Sequence, residues 1–272
     1  MDGKNKRIIN MNIKILYEDK NLLVLNKPAG ITVHADGKNK DKTIADWLVA
    51  KYPKIKNVGE PFLIERPGGR VEKIERPGIV HRLDKETSGV LAIAKDQKTF
   101  YFLKEQFQNH QVEKAYRAFV YGSVSEPKAS LATNRRGIIN VPIGRSPKSF
   151  GAFTAGRGAK EPIKESVTEY IILDKFSVKN NKDGQKEDYT YIEVYPKTGR
   201  THQIRVHMRF INHPVVSDPI YRGKKEKALG FDRLALHAIS ISLNMPNGER
   251  KTIFAPLPTD FKKAIKTNNL KD

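Results

Sequence analysis

Hydrophobic residues occur along the chain mostly in short runs and alternations, which are typical of β-strands. The run that begins at Leu22 stops at Pro28 and Gly30, which predicts a buried strand that ends in a turn, with Lys27 at the strand end. Other segments are rich in β-branched and aromatic residues and also predict strands. They are residues 13–17, 89–95, 115–121, 166–173, 189–195 and 234–243.

Three further segments carry apolar residues at helical spacing. These residues are Ile44, Leu48 and Tyr52; Phe100, Leu103 and Phe107; and Ile204, Met208 and Ile211. Asp41 or Thr43 can cap the first helix, and Thr201 can cap the third. Because closely spaced strands are mixed with isolated helices, the sequence predicts an α+β fold with a mixed, mainly antiparallel β-sheet core in two lobes. Helices and loops are expected to flank that sheet.

Three segments lack a regular pattern. Residues 1–14 are polar and basic, which predicts a flexible N-terminal tail ahead of one domain over residues 15–268. Residues 53–79 are rich in Pro, Gly and charged side chains, which predicts a long surface loop. Residues 135–164 combine Lys, Arg, Gly and Pro with few large aliphatic residues. This composition predicts a basic excursion from the sheet that touches a polyanion.

Charge narrows the choice of partner. The 272 residues include 50 Lys and Arg against 30 Asp and Glu, a formal net charge of +20. Such an excess of positive charge favours nucleic acid as the partner, although a Lys-rich proteome would also raise the net charge. The absence of Cys excludes disulfides, thiolate nucleophiles and Cys-ligated zinc. With no signal peptide pattern and no apolar run of ~20 residues, a soluble protein in the cytoplasm is expected, without membrane contact.

The densest group of polar residues is segment 81–89, His-Arg-Leu-Asp-Lys-Glu-Thr-Ser-Gly, which leads into a predicted core strand. Taken alone, it fits a solvated turn in which Asp84 caps the residues that follow and Gly89 takes a positive φ. A metal site is not favoured elsewhere, because His202 and His207 lie five positions apart, whereas two ligands on one helical face lie four apart.

Segment 81–89 resembles the signature HRLDxxTSG of the RluA family of pseudouridine synthases, and every specified position matches. The resemblance continues in segments 26–30 (NKPAG), 114–122 (KAYRAFVYG) and 198–207 (TGRTHQIRVH) and covers residues from about 15 to 265. It implies the pseudouridine synthase catalytic fold and an enzyme that isomerises uridines in ribosomal or transfer RNA. Since that isomerisation is redox-neutral and releases no group, it implies no cofactor and no metal.

The resemblance also implies roles for individual residues. Asp84 matches the catalytic Asp, and Arg205 matches an Arg whose guanidinium favours the charged form of that carboxylate. Tyr116 matches a Tyr that stacks on the uracil and is a candidate for proton transfer at carbon 5. From the residues alone, Tyr116 could equally be a core residue and Arg205 a phosphate contact.

Substrate-binding roles are implied for three more positions. Arg82 matches an Arg that enters the RNA stack in place of the flipped nucleotide, and Ile204 matches an apolar residue that packs against the target uracil. Lys27 matches a position near the active cleft. The alternatives are a surface salt bridge for Arg82, a core residue for Ile204 and a solvated lysine for Lys27.

Many members of the family carry a small N-terminal RNA-binding module, and about fourteen residues precede the first predicted strand here. A form without that module is therefore expected, with RNA affinity supplied by basic residues in 135–164 and 222–227. A monomer is expected because no coiled-coil heptad is present. Two other functions stay open: a non-catalytic RNA chaperone or ribosome-assembly factor with the same fold, and a hydrolase that releases free uracil.

Overall fold

The computed structural model describes residues 11–35, 41–65, 68–125, 136–149, 151–179 and 184–271. The strands are β1 (Lys14–Glu18), β2 (Leu22–Lys27), β3 (Phe62–Glu65), β4 (Val71–Ile74), β5 (Ser88–Ala94), β6 (Glu113–Tyr121), β7 (Gly137–Asn140), β8 (Ile143–Arg145), β9 (Phe153–Ala155), β10 (Lys160–Lys164), β11 (Val167–Lys179), β12 (Lys186–Pro196), β13 (Leu236–Asn244) and β14 (Arg250–Phe254). The helices are α1 (Ile44–Lys51), α2 (Gln97–Gln108), α3 (Gln203–Phe210) and α4 (Thr259–Thr267). The mixture of helices with antiparallel strand pairs confirms the predicted α+β class.

The described residues form two compact units. The first contains described residues of 1–112 and 240–255, and the second those of 113–239 and 256–272. Because the predicted flexible tail reaches residue 14 and residues 1–10 lie outside the described ranges, only its last four residues can be compared with the structure. Of these, Lys14 already begins β1. Within the described ranges, no helix is long and apolar enough to cross a membrane.

In the first unit, β2 pairs with both β1 and β5. The side chains of β5 are all buried, as expected of a strand covered on both faces. Helix α1 is capped by Thr43, whose hydroxyl accepts a hydrogen bond from the Asp46 N–H while the Asp46 carboxylate accepts one from the Thr43 N–H. This reciprocal cap confirms one of the two predicted caps and fixes the start of the helix.

The prediction that residues 53–79 form a loop is wrong, because part of this segment has regular secondary structure. Residues 53–57 form a 3-10 helix, and β3 pairs with β4 as an antiparallel hairpin. Each of these strands has four residues, which is too short to give a clear alternation in the sequence. Gly68 and Gly69, with φ of +86° and +76°, allow the chain to reverse between them.

In the second unit, β6, β12, β11 and β7 lie side by side in that order, and all three pairings are antiparallel. The core beside them contains an aromatic cluster around Phe119. Its ring stacks on Tyr191 at 4.6 Å between centroids and lies 5.5 Å from both Phe231 and Phe261. The long ladder between β11 and β12 and this cluster give a rigid support for residues carried by β6.

The basic excursion predicted over residues 135–164 is partly folded into strands. Strand β7 pairs with β11, so part of the excursion belongs to the sheet of the second unit. Strands β8, β9 and β10 form a separate three-stranded antiparallel sheet. Residues 135 and 150 lie outside the described ranges. Contact of this segment with RNA stays a prediction.

Candidate functional site

The residues singled out by the sequence fall in both units. Lys27, Arg82 and Asp84 belong to the first unit, and the other three, Tyr116, Ile204 and Arg205, belong to the second. Strands and loops position these side chains in the first unit, and strand β6 and helix α3 position them in the second.

Asp84 lies in a tight turn, directly after a buried leucine. The Thr87 N–H donates to the Asp84 carbonyl at 3.1 Å, and Leu83 is 5% exposed. The Lys85 carbonyl accepts a hydrogen bond from the Gly30 N–H at 2.8 Å, and Gly89 has a φ of +115°. The predicted turn and the positive φ of Gly89 are therefore confirmed, and Asp84 itself is partly buried between anchored residues.

Lys27 anchors the Asp84 turn through hydrogen bonds from its side chain. Its side chain is completely buried, and Nζ donates to the carbonyls of Pro28, Ile31 and Lys85 at 2.9, 2.9 and 3.1 Å. These bonds offset the cost of removing an ammonium group from water. A solvated lysine is thus wrong for this position. Direct substrate binding by Lys27 stays a prediction, because the observed contacts join the turn after β2 to the residue that follows Asp84.

His81 holds the start of the same turn. Its Nε2 accepts a hydrogen bond from the Ala92 N–H at 2.9 Å, which requires that nitrogen to be unprotonated. The imidazole also stacks on Phe107, with 4.7 Å between ring centroids and 20° between ring planes. Together these contacts tie the entrance of the Asp84 turn to β5 and α2.

Next to His81, Arg82 is exposed, in keeping with a side chain that can reach a partner. Burial, together with the charge of Arg82, lowers the pKa of Arg76. The Arg76 guanidinium also lies over the Phe62 ring, 4.4 Å from its centroid. Both arginines precede Asp84 in the chain and add positive charge to this part of the first unit.

Tyr116 lies on β6 opposite Val194 of β12 and packs with part of its ring against the core of the second unit. Lys114 lies two positions earlier and therefore projects from the same face of the strand. Burial lowers the pKa of Lys114 to about 8. Its Nζ donates to the Thr198 carbonyl at 3.5 Å, a long contact that links β6 to the segment before α3.

Gln203 fixes the start of α3 through four hydrogen bonds. Its Oε1 accepts from the Thr198 hydroxyl at 2.7 Å and from the Arg200 N–H at 2.9 Å. Its Nε2 donates to the Val167 carbonyl at 2.9 Å and to the Thr168 hydroxyl at 3.0 Å. The side chain is buried, so a fully satisfied amide joins the helix start to β11.

The predicted cap of α3 is wrong. The N-cap is His202 rather than Thr201, and it has a left-handed backbone with φ of 55° and no side-chain capping bond. Gln203, one residue further on, instead accepts the nearby Arg200 N–H. The helix itself is confirmed, and Ile204 is 6% exposed within the core cluster that also contains Met208.

His207 holds the next turn of α3. It is completely buried, and its Nδ1 and Nε2 lie 2.8 Å from the Thr168 hydroxyl and 2.9 Å from the Val141 carbonyl. Since a carbonyl only accepts, Nε2 carries the proton and Nδ1 accepts from the hydroxyl. Burial lowers the pKa of His207. With both nitrogens engaged, His207 is a structural residue and not a metal ligand.

Arg205 forms a buried, two-point ion pair that the sequence analysis missed. Its Nε donates to Oδ2 of Asp218 at 2.7 Å and its Nη2 to Oδ1 at 2.9 Å. The side chains of Arg205 and Asp218 are 5% and 0% exposed. Asp218 lies in an irregular segment before Pro219, so no periodicity marks it. The expectation that Arg205 also acts on Asp84 stays a prediction.

The sequence matches the family described as RNA pseudouridylate synthase over residues 21–210, a range that includes segments 81–89, 114–122 and 198–207. An uncharacterized RNA pseudouridine synthase of Synechocystis sp. is 33% identical over 260 residues, covering 94% of this chain and 69% of that protein. The ribosomal large subunit pseudouridine synthase D of Borreliella burgdorferi is 35% identical over 253 residues, covering 93% of this chain and 67% of that one.

A solved structure of the same kind resembles the chain over its length. Human RNA pseudouridylate synthase domain containing 4 is 25% identical with a TM-score of 0.66, covering 99% of this chain and 97% of the human one. The similarity in sequence and in structure therefore points to the same group of proteins.

Proposed function

Because the chain belongs to the RNA pseudouridylate synthase family and is an RNA pseudouridine synthase, we propose that it modifies selected uridines of structured RNA with Asp84 as the catalytic carboxylate. The observation that carries this assignment is how the turn that contains Asp84 is held in place. It lies within a matched signature, at a turn whose next carbonyl is held by both Gly30 and the buried ammonium of Lys27.

The reaction needs a group that can act at two stages. The bond between N1 of uracil and C1′ of ribose breaks, the base turns, C5 bonds to C1′, and the proton on C5 is lost while N1 gains one. An ionised carboxylate can attack the sugar or the base, or capture the transient species between these steps. The atoms balance without any redox change, so the proposal needs no cofactor.

Other residues share the work in this proposal. Arg205 supplies a guanidinium to the reaction, and Tyr116 stacks on the uracil and assists the proton transfer at C5. Ile204 packs on the flipped base, and Arg82 fills the space that the base leaves in the RNA stack. The exposure of Arg82 and the partial exposure of Tyr116 support roles that require contact with RNA.

The RNA substrate is proposed to be ribosomal, with transfer RNA as the alternative. Several similar proteins bear the name ribosomal large subunit pseudouridine synthase D, which favours RNA of the large subunit. The net charge of +20 supports binding to phosphates, and unpaired loops are the targets whose bases can be turned out. The cytoplasm is the proposed location, since the substrate resides there.

Mapping of pseudouridines tests this proposal. RNA from cells that lack the gene is incubated with the purified protein, and modified positions are compared with those of untreated RNA. We expect one or a few new pseudouridines in unpaired segments of ribosomal RNA and no free uracil. New sites in transfer RNA alone would replace the ribosomal assignment, and release of uracil would contradict isomerisation.

A further inference from the structure

We propose that Asp218 and Tyr221 form a clamp that positions the guanidinium of Arg205 for the isomerisation, an inference that rests on the proposed function. Both are positioning residues, because they act through Arg205. All three residues belong to the second unit.

Asp218 holds the edge of the guanidinium. Two nearly parallel hydrogen bonds, of 2.7 Å to Nε and 2.9 Å to Nη2, fix both the position and the plane of the group. Burial of this pair has a high desolvation free energy, since two charges leave water. Such a pair between planar groups restricts orientation as well as distance, and this restriction is what a catalytic guanidinium requires.

Tyr221 covers the face of the same group. The Arg205 guanidinium carbon lies 5.1 Å from the centroid of the Tyr221 ring. The ring is held in turn, because its hydroxyl accepts a hydrogen bond from the Phe153 N–H at 3.0 Å and lies 2.9 Å from Nδ1 of His202. Edge and face are thus both fixed by buried residues.

Asp218 also shapes the loop that carries Tyr221. Its Oδ1 accepts hydrogen bonds from the N–H groups of Ile220 at 2.8 Å and Tyr221 at 3.0 Å. The same carboxylate therefore binds Arg205 and stabilises the turn that brings the Tyr221 ring to the guanidinium.

The same unit contains an ion pair of similar geometry for comparison, with side chains that are 15% and 25% exposed. Arg233 donates to Asp260 through Nε at 2.7 Å and through Nη2 at 3.0 Å. Asp260 Oδ1 also accepts the Phe261 N–H at 2.8 Å, and Arg233 lies over the Phe261 ring at 5.8 Å. This pair repeats the geometry of the clamp without any residue proposed to act in catalysis.

The test compares Asp218→Asn with Asp260→Asn. In each variant the amide oxygen can still accept the main-chain N–H groups, whereas the amide nitrogen meets the arginine as donor against donor. We expect Asp218→Asn to lower the single-turnover rate constant by roughly tenfold or more, since small displacements of a catalytic group are costly. The dissociation constant for RNA should stay within about twofold, because Asp218 is buried and a carboxylate is not a phosphate ligand.

The control separates positioning from stability. We expect Asp260→Asn to lower the melting temperature as Asp218→Asn does, yet to keep turnover within about twofold of the wild type. In an Arg205→Lys background, Asp218→Asn should slow turnover by no more than about twofold further, because the two changes act through one group. Equal rates for the two Asn variants, or additive losses in the Lys background, would overturn the clamp.

If Asp218→Asn does not fold, variants of Tyr221 test the clamp instead. Tyr221→Phe and Tyr221→Leu both remove the hydroxyl, but only Leu removes the ring face. We expect the Leu variant to turn over RNA roughly fivefold more slowly than the Phe variant, given the strength of a buried cation–π contact. Equal rates for Phe and Leu would overturn the clamp. An inactive wild-type protein would overturn the proposed function and the clamp together.

Discussion

Replacing Lys27 with methionine removes the ammonium that holds the Asp84 turn while keeping a side chain of similar length. Three carbonyl acceptors, on Pro28, Ile31 and Lys85, lose a charged donor. Hydrogen bonds to a charged group contribute about 1.5–3 kcal/mol each. Relief from burying the ammonium returns several kcal/mol, so we expect a net loss of about 2–4 kcal/mol in the free energy of unfolding.

Urea denaturation followed by circular dichroism measures this loss, and Lys85→Met provides the control. Lys85 is exposed, and its Nζ lies 3.2 Å from Asp41 at the surface, so its replacement should change the stability by less than about 0.5 kcal/mol. Turnover by Lys27→Met should also fall while RNA affinity is kept, because the Lys85 carbonyl follows Asp84. A Lys27→Met protein as stable and as active as Lys85→Met would show that the Lys27 ammonium does not hold the Asp84 turn.

Three further predictions follow from the described contacts. His207 has a lowered pKa in the folded state. Its contribution to the free energy of unfolding is therefore present above its unfolded pKa and is lost as pH falls through and below about 6.5. Urea midpoints should drop between about pH 7.5 and pH 5.5, and His207→Gln should flatten that drop. Gly89→Ala should destabilise the protein by about 1 kcal/mol or more, because φ of +115° disfavours a Cβ atom; an unchanged melting temperature would contradict this. RNA affinity should fall steeply with salt concentration, and a flat response in filter binding would speak against phosphate contacts.

The strands and helices that carry long patterns could be predicted from the sequence. Phe100 and Leu103 mark α2, which the structure extends over Gln97–Gln108, and the aliphatic run at Leu22 marks β2. Each pattern reports burial of one face or of a whole strand, and burial is what periodicity records. The hairpin of β3 and β4 escaped prediction because its residues are mostly exposed.

The supports of the site depend on contacts that are distant in sequence. Gln203 fixes α3 through Thr168, 35 positions earlier, and Lys27 reaches the carbonyl of Lys85, 58 positions later. A buried lysine also runs against the usual exposure of that residue type. The partner of Arg205, Asp218, lies in a loop without periodicity. Motif matching can identify such site residues, whereas their anchors require the fold.

The role of Asp84 is tested most directly by release of tritium from RNA labelled at carbon 5 of uridine. Asp84→Asn is compared with the wild type and with Asp41→Asn, which removes an exposed carboxylate of the same unit. If Asp84 is the catalytic carboxylate, the wild type and Asp41→Asn release tritium and Asp84→Asn releases none above background, while all three bind RNA. Release by Asp84→Asn at the wild-type rate would contradict it.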